Sequence, residues 1–223
     1  FPPPKSVDGS RKGWIVRSCC PKRYISRFCS KTYTEGDTMQ EDRYVQTIRE
    51  LLHKKRFDHS LNVAQRAVEL AKRYGEDEQK AYIAGILHDI CKNMQPEEQL
   101  QWMKKSAIIL DENLLEQPPV WHGFAGAEYI RQQLGIEDED IINAVRYHTV
   151  ARAGMSRLEQ IIYLADLTSS ERDYPDVERM RRLSDRSLRE GMREALVFAV
   201  SNQAQRHAPL CLDTCKAYNE YLR

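Results

Sequence analysis

The sequence predicts an all-α fold, a bundle of helices, and three observations predict it. Apolar residues recur at helical spacing from Met39 to the C-terminus, Pro and Gly fall between those stretches, and no convincing β-hairpin or glycine-rich phosphate loop interrupts them. Tyr44, Val45, Ile48, Leu51 and Leu52 form a first stripe, and Val63, Ala67, Leu70, Ala71 and Tyr74 a second, stopped by Gly75. Ala81, Ile83, Ala84, Ile86, Leu87 and Ile90 are apolar on most sides, which predicts a central, buried helix with His88 and Asp89 in its middle. Pro96 with Glu97 and Glu98 reads as a helix start, with proline in the first turn and acids at the positive end of the dipole. Pro118-Pro119 breaks the chain. Helices are then expected from Gly123 to Leu134, Asp138 to His148 and Arg157 to Thr168. Pro175 marks a loop, a long helix is expected from Asp185 to Arg206, and a last one follows Pro209 to Arg223.

Residues 1–38 differ from this pattern. They open Phe1-Pro2-Pro3-Pro4 and show no period, and their eight basic and three acidic residues give +5, which leaves −4 for residues 39–223 of a chain with net charge +1. We expect 1–38 to be a disordered or artefactual extension and 39–223 to be the working domain, with Met39 its natural start. A mildly acidic body argues against a nucleic-acid partner. No run of about 18 apolar residues suggests a membrane span. The six cysteines include no pair of CxxC motifs, which disfavours a zinc ribbon, and Cys211 and Cys215, four apart, read as reduced thiols on one helix face. A reducing, cytoplasmic setting is the expectation.

The polar residues inside these apolar helices carry the chemistry. An ionised Asp89 buried beside His88 costs several kcal/mol, on the order of a lost ion pair, unless something offsets it. His59 opens one helix, His122 precedes another, His148 ends a third, and Asp166 follows the apolar run Tyr163-Leu164-Ala165. Inward side chains from separate helices are how a bundle assembles a metal site. Imidazole with carboxylate suits Fe, Mn, Co, Ni or Zn. Six ligands exceed the need of one catalytic ion and suit two that share a carboxylate, the arrangement that activates water against phosphorus.

The ordered set Arg56-Phe57-Asp58-His59-Ser60, Leu87-His88-Asp89-Ile90-Cys91-Lys92, His122-Gly123, His148-Thr149 and Leu164-Ala165-Asp166 resembles the HD-domain superfamily of metal-dependent phosphohydrolases over nearly all of Met39 to Arg223. Within it, the chain looks most like the bacterial YqeK group of symmetrical diadenosine tetraphosphate hydrolases, which release two ADP. Lys80-Ala81-Tyr82-Ile83-Ala84-Gly85, Gly154-Met155-Ser156 and Arg172-Asp173-Tyr174-Pro175 support that likeness. The resemblance implies one ion on His59, His88, Asp89 and Asp166, and a second on His122, His148 and the bridging Asp89, with iron favoured and Mn or Co as alternatives. It implies that Asp89 and Lys92 serve catalysis, Lys92 reaching the phosphates, and that Thr149, Arg152, Arg172 and Tyr174 surround the nucleotide.

The chain departs from the family pattern in two places. Val150-Ala151-Arg152-Ala153 stands where Thr-Gly-Arg-Pro is usual, and an alanine at 151 restricts the loop if φ is positive there. Ser169-Ser170 stands where a Glu-Pro pair is common, which removes a carboxylate. Both bear on substrate contacts rather than on the six ligands. His53 reads as a surface helix residue and His207 as one near a helix C-terminus. Two other functions stay open from sequence: an HD hydrolase for a different nucleotide, and an inactive nucleotide-binding regulator. A homodimer through the apolar face of the long C-terminal helix is also compatible with the pattern.

Overall fold

The structure, a computed structural model, describes residues 35–106 and 112–223, with side chains from position 42; the proposed extension therefore lies almost wholly outside the described residues. Helices α1 (Glu35–Leu51), α2 (Lys54–Tyr74), α3 (Glu78–Leu87), α4 (Pro96–Met103) and α5 (Glu112–Leu115) lead to a 3-10 turn at Pro118–Val120. There follow α6 (Trp121–Leu134), α7 (Glu139–Tyr147), α8 (Arg157–Thr168), α9 (Val177–Arg186), α10 (Leu188–Gln205) and α11 (Leu212–Leu222). Among the described residues there is no strand. None of the helices is long and apolar enough to cross a membrane.

Local sequence sets the boundaries. Gly75 and Gly135 end α2 and α6 in the left-handed conformation, at φ 67° and 68°. Asp77 and Asp138 cap α3 and α7 by accepting backbone N–H bonds. Ser156 and Glu159 form a reciprocal capping box at the start of α8. The helix expected from Asp185 to Arg206 is α10, which begins at Leu188, and α9 before it is an element beyond those expected. Ser187, extended at φ −159°, closes α9 and caps α10 through Glu190 N–H, a break that a serine inside a polar stretch does not announce. Helix α1 starts four residues before Met39.

Helix α3 is central, packed against α1, α2, α7 and α8; α8 also meets α9 and α10, and α6 lies between α4 and α7. Ile48, Val63, Leu70, Ile86, Leu87, Ile90, Ile142 and Ile161 are fully buried where these helices meet. Two glycines permit the close approaches that matter for function. A side-chain carbon at Gly85 would lie 2.7 Å from Ala64 Cα, so α2 and α3 touch backbone to backbone. One at Gly123 would lie 2.8 Å from Arg146 O and 3.4 Å from the His148 ring, which seats α6 on the end of α7.

Candidate metal centre

The two histidines expected inside or at the end of apolar helices share one device. His88 and His148 are the residues that close α3 and α7. Each ring uses Nδ1 against the carbonyl three residues earlier, His88 on Gly85 O and His148 on Val145 O, both at 2.7 Å. His88-Asp89 therefore lies just past the end of α3 rather than in its middle. The chain continues from there through three-residue turns, Ile90 N to Leu87 O and Lys92 N to Asp89 O. Ending the helix frees the Gly85 and Leu87 carbonyls for these bonds. His59 lies within α2, more than a turn past its start, and His122 in the first turn of α6.

A carbonyl oxygen only accepts, so Nδ1 of His88 and of His148 carries the proton and Nε2 presents a lone pair. His59 is held the same way by a carboxylate, its Nδ1 donating to Glu171 Oε1. The Nε2 atoms then face one another. His59 Nε2 is 3.3 Å from His88 Nε2, and His122 Nε2 is 3.1 Å from His148 Nε2. Asp89 stands between the two pairs. Its Oδ2 is 3.7 Å from His59 Nε2 and 3.4 Å from His88 Nε2, while Oδ1 is 3.1 Å from His122 Nε2 and 3.6 Å from His148 Nε2. Asp166 Oδ1 closes the first group at 3.1 Å from His59 Nε2. Acceptors converging on acceptors away from water are stabilised by a cation at their centre, and this donor set is the kind transition metals take. His59, His88 and Asp166 form one group within reach of a single ion, and His88, Asp89 and His148 another.

The protonation states agree with that chemistry. Burial pushes the rings of His88 and His122 down, the latter to about 4. Burial alone would raise the Asp89 carboxyl, but the surrounding His88, His122 and His148 hold it well below the usual carboxylate range. Asp166 is likewise raised by burial but brought well below that range, chiefly by His59 and Arg172. For His59, burial lowers the ring and its bonds to Asp166 and Glu171 more than restore it.

Around this cluster the remaining candidates separate. Lys92 Nζ lies 3.2 Å from His122 Nδ1 and 3.4 Å from its Nε2, and burial lowers the ammonium. Arg172 grips Asp166 through both the carboxylate and, at 2.7 Å, the backbone carbonyl. Thr149 follows His148; its hydroxyl is buried without a hydrogen-bond partner and lines a cleft of about 280 Å³ that also touches His148 and Asp166. The far wall of that cleft is α10, with Phe198, Asn202 and Gln203. Tyr174 stacks on Phe198 at 5.0 Å and donates its hydroxyl to Leu167 O. The structure does not bring Arg152 to the cluster: its guanidinium is paired with the buried Glu159 at 2.8 and 3.1 Å and lies over the Tyr147 ring. Ala151 stands at φ 58°, the strained conformation that a glycine would relieve.

Three contributors carry no assigned role in the sequence reading. Arg56 Nη1 donates to Asp89 Oδ2 at 2.5 Å; it precedes His59 by three residues on α2, a spacing that shares a face. Glu171 lies in the loop after α8, where no period points to it. Phe198 is 37% exposed on a helix whose pattern reads as ordinary amphipathic surface. His53 and His207 are exposed and lie outside the cluster, His53 in the link before α2 rather than on a helix face.

The six candidate ligands all lie within the stretch that a family model matches. The HD domain family model matches residues 56–171. A Bacillus subtilis protein described as a symmetrical bis(5'-nucleosyl)-tetraphosphatase is 34% identical over 184 residues, covering 81% of this chain and 97% of its own. One of the same description from Halalkalibacterium halodurans is 33% identical, covering 82% and 98%. A crystal structure from Clostridium acetobutylicum, described as a "predicted HD superfamily hydrolase involved in NAD metabolism", superposes with a TM-score of 0.79 at 31% identity, covering 81% of this chain and 96% of that one. With the family model spanning over half the chain and these relatives aligned along nearly their whole length, the chain belongs to the HD domain family.

Proposed function

We propose that this chain hydrolyses diadenosine tetraphosphate symmetrically, adding one water across the central phosphoanhydride to give two ADP. The observation that carries the reading is the Asp89 carboxylate, buried with one oxygen toward His59 and His88 and the other toward His122 and His148. The activity described for the Bacillus and Halalkalibacterium relatives supports the choice of substrate.

In this reading His59, His88, Asp89 and Asp166 hold one ion, and Asp89, His122 and His148 a second; iron is the metal proposed, with Mn and Co as alternatives. Two ions held there supply an activated water and neutralise charge on the phosphoryl group. The chain's own groups do the rest. Lys92, beside His122, turns its ammonium from that ring to a non-bridging phosphate oxygen and lowers the charge of the leaving ADP. Arg56 and Arg172, already on the ligand carboxylates, keep those carboxylates ionised and face the same anion. One adenosine occupies the cleft between Thr149 and α10, where Phe198, backed by Tyr174, offers an aromatic face. Arg152 contributes through Glu159 and the loop rather than at the phosphates.

Incubation of the purified chain with diadenosine tetraphosphate and chromatography of the products tests this. ADP as the sole product supports it. ATP with AMP contradicts symmetric cleavage, and turnover of other nucleotides alone moves the reading to a different HD substrate.

A further inference from the structure

The four rings have three kinds of environment at the outer nitrogen. His88 and His148 rest on neutral backbone carbonyls. His59 rests on the carboxylate of Glu171, which Ser169 Oγ in turn holds at 2.9 Å. His122 has a cation beside it, Lys92 Nζ at 3.2 Å. A carboxylate accepting the Nδ1 proton makes Nε2 a stronger donor and fixes the ring's orientation, and groups in that role change metal affinity by about 10–100-fold. An ammonium beside the ring does the reverse. It withdraws density and competes for the lone pairs. Asp89 faces both groups of ligands; Arg56 on its Oδ2 and Arg172 on Asp166 put cations beside the first half as well, so the Glu171 carboxylate is the feature with no counterpart in the second.

We infer that Glu171 is a positioning residue that grades the site, making the half formed by His59, His88 and Asp166 the tighter metal site, filled before the half formed by His122 and His148. The Ser169-Ser170-Glu171 stretch thus supplies a carboxylate two positions beyond Ser169. The inference rests on the two-metal reading above, but it concerns only the order and strength of the two sites.

The test is a Co²⁺ titration of the full chain, stripped of metal, in competition with a chromophoric chelator. Wild type takes up cobalt in two resolved steps. Glu171→Gln, which keeps the size but removes the charge, weakens the tighter step by about 10–100-fold and leaves the weaker step unchanged. Ser169→Ala weakens the same step by less. Lys92→Met strengthens the weaker step. Melting of each variant in chelator, compared with wild type, verifies the fold; should Glu171→Gln not fold, Ser169→Ala decides. Both steps unchanged, both weakened alike, or the weaker step alone affected in Glu171→Gln would overturn the inference. A wild-type chain that takes up no cobalt would bring down the two-metal reading itself.

Discussion

The ligand cluster and the cleft beside it differ in how their polar groups are held. In the cluster each ring has a neighbour for its outer nitrogen, and three of the four rings hang from helix ends that the core fixes. In the cleft the Thr149 hydroxyl has no partner, Phe198 is partly exposed, and Ala151 sits in a strained conformation two residues from Thr149. The cluster is built before anything binds, whereas the cleft has groups left over for a ligand. Substitutions in the first region should therefore act on chemistry, and those in the second on substrate affinity or on loop stability.

The largest of the effects that would sharpen this contrast is expected at Lys92, which sits where the two regions meet. Lys92→Met removes the ammonium but keeps the stem, and the loss of a charged hydrogen bond to the phosphates should lower kcat by about 10–100-fold with KM little changed. Steady-state kinetics with the tetraphosphate checks it; a rise in KM alone would place Lys92 with the cleft. Next comes Phe198→Ala. Removing a stacking face should raise KM by about tenfold and leave metal content and kcat near wild type, whereas Phe198→Trp should restore KM. A fall in kcat without a change in KM would blur the boundary between the regions.

The smallest effect is at Ala151. A left-handed alanine costs about 1–2 kcal/mol, and glycine's greater unfolded-state entropy gives part of that back. Ala151→Gly should stabilise the chain by about 0.5–1 kcal/mol in urea unfolding, with metal uptake unaffected. A destabilised variant would mean that the loop draws no strain from this residue.

The same contrast explains what was legible in the sequence. The helices could be read from Val63 to Thr168 because the stripes that bury them are periodic, and the ligands because a histidine or aspartate in an apolar run is conspicuous. Helix α9 was not legible, since Val177, Met180 and Leu183 make only a short stripe in a charged run after the Pro175 loop. Nor was the end of α3 before His88, because Ile90 and Cys91 continue an apolar pattern through a chain of turns. Ser169-Ser170 read as a lost carboxylate, yet Glu171 reaches His59 across 112 positions, a pairing that depends on how α2 and α8 pack. Arg152, an arginine in a loop near a proposed phosphate site, reads as a nucleotide contact; the structure pairs it with the buried Glu159, seven residues on. Contacts set by tertiary packing leave no period to read.

The most direct test of the central claim compares wild type with Asp89→Ala for metal content and for turnover of diadenosine tetraphosphate, both measured on anaerobically purified protein. The account predicts about two transition-metal ions per wild-type chain and ADP as the only product, with both the second ion and the turnover lost in the variant. A variant that keeps both ions and continues to release ADP would contradict it, because no other carboxylate among the described residues faces both pairs of rings.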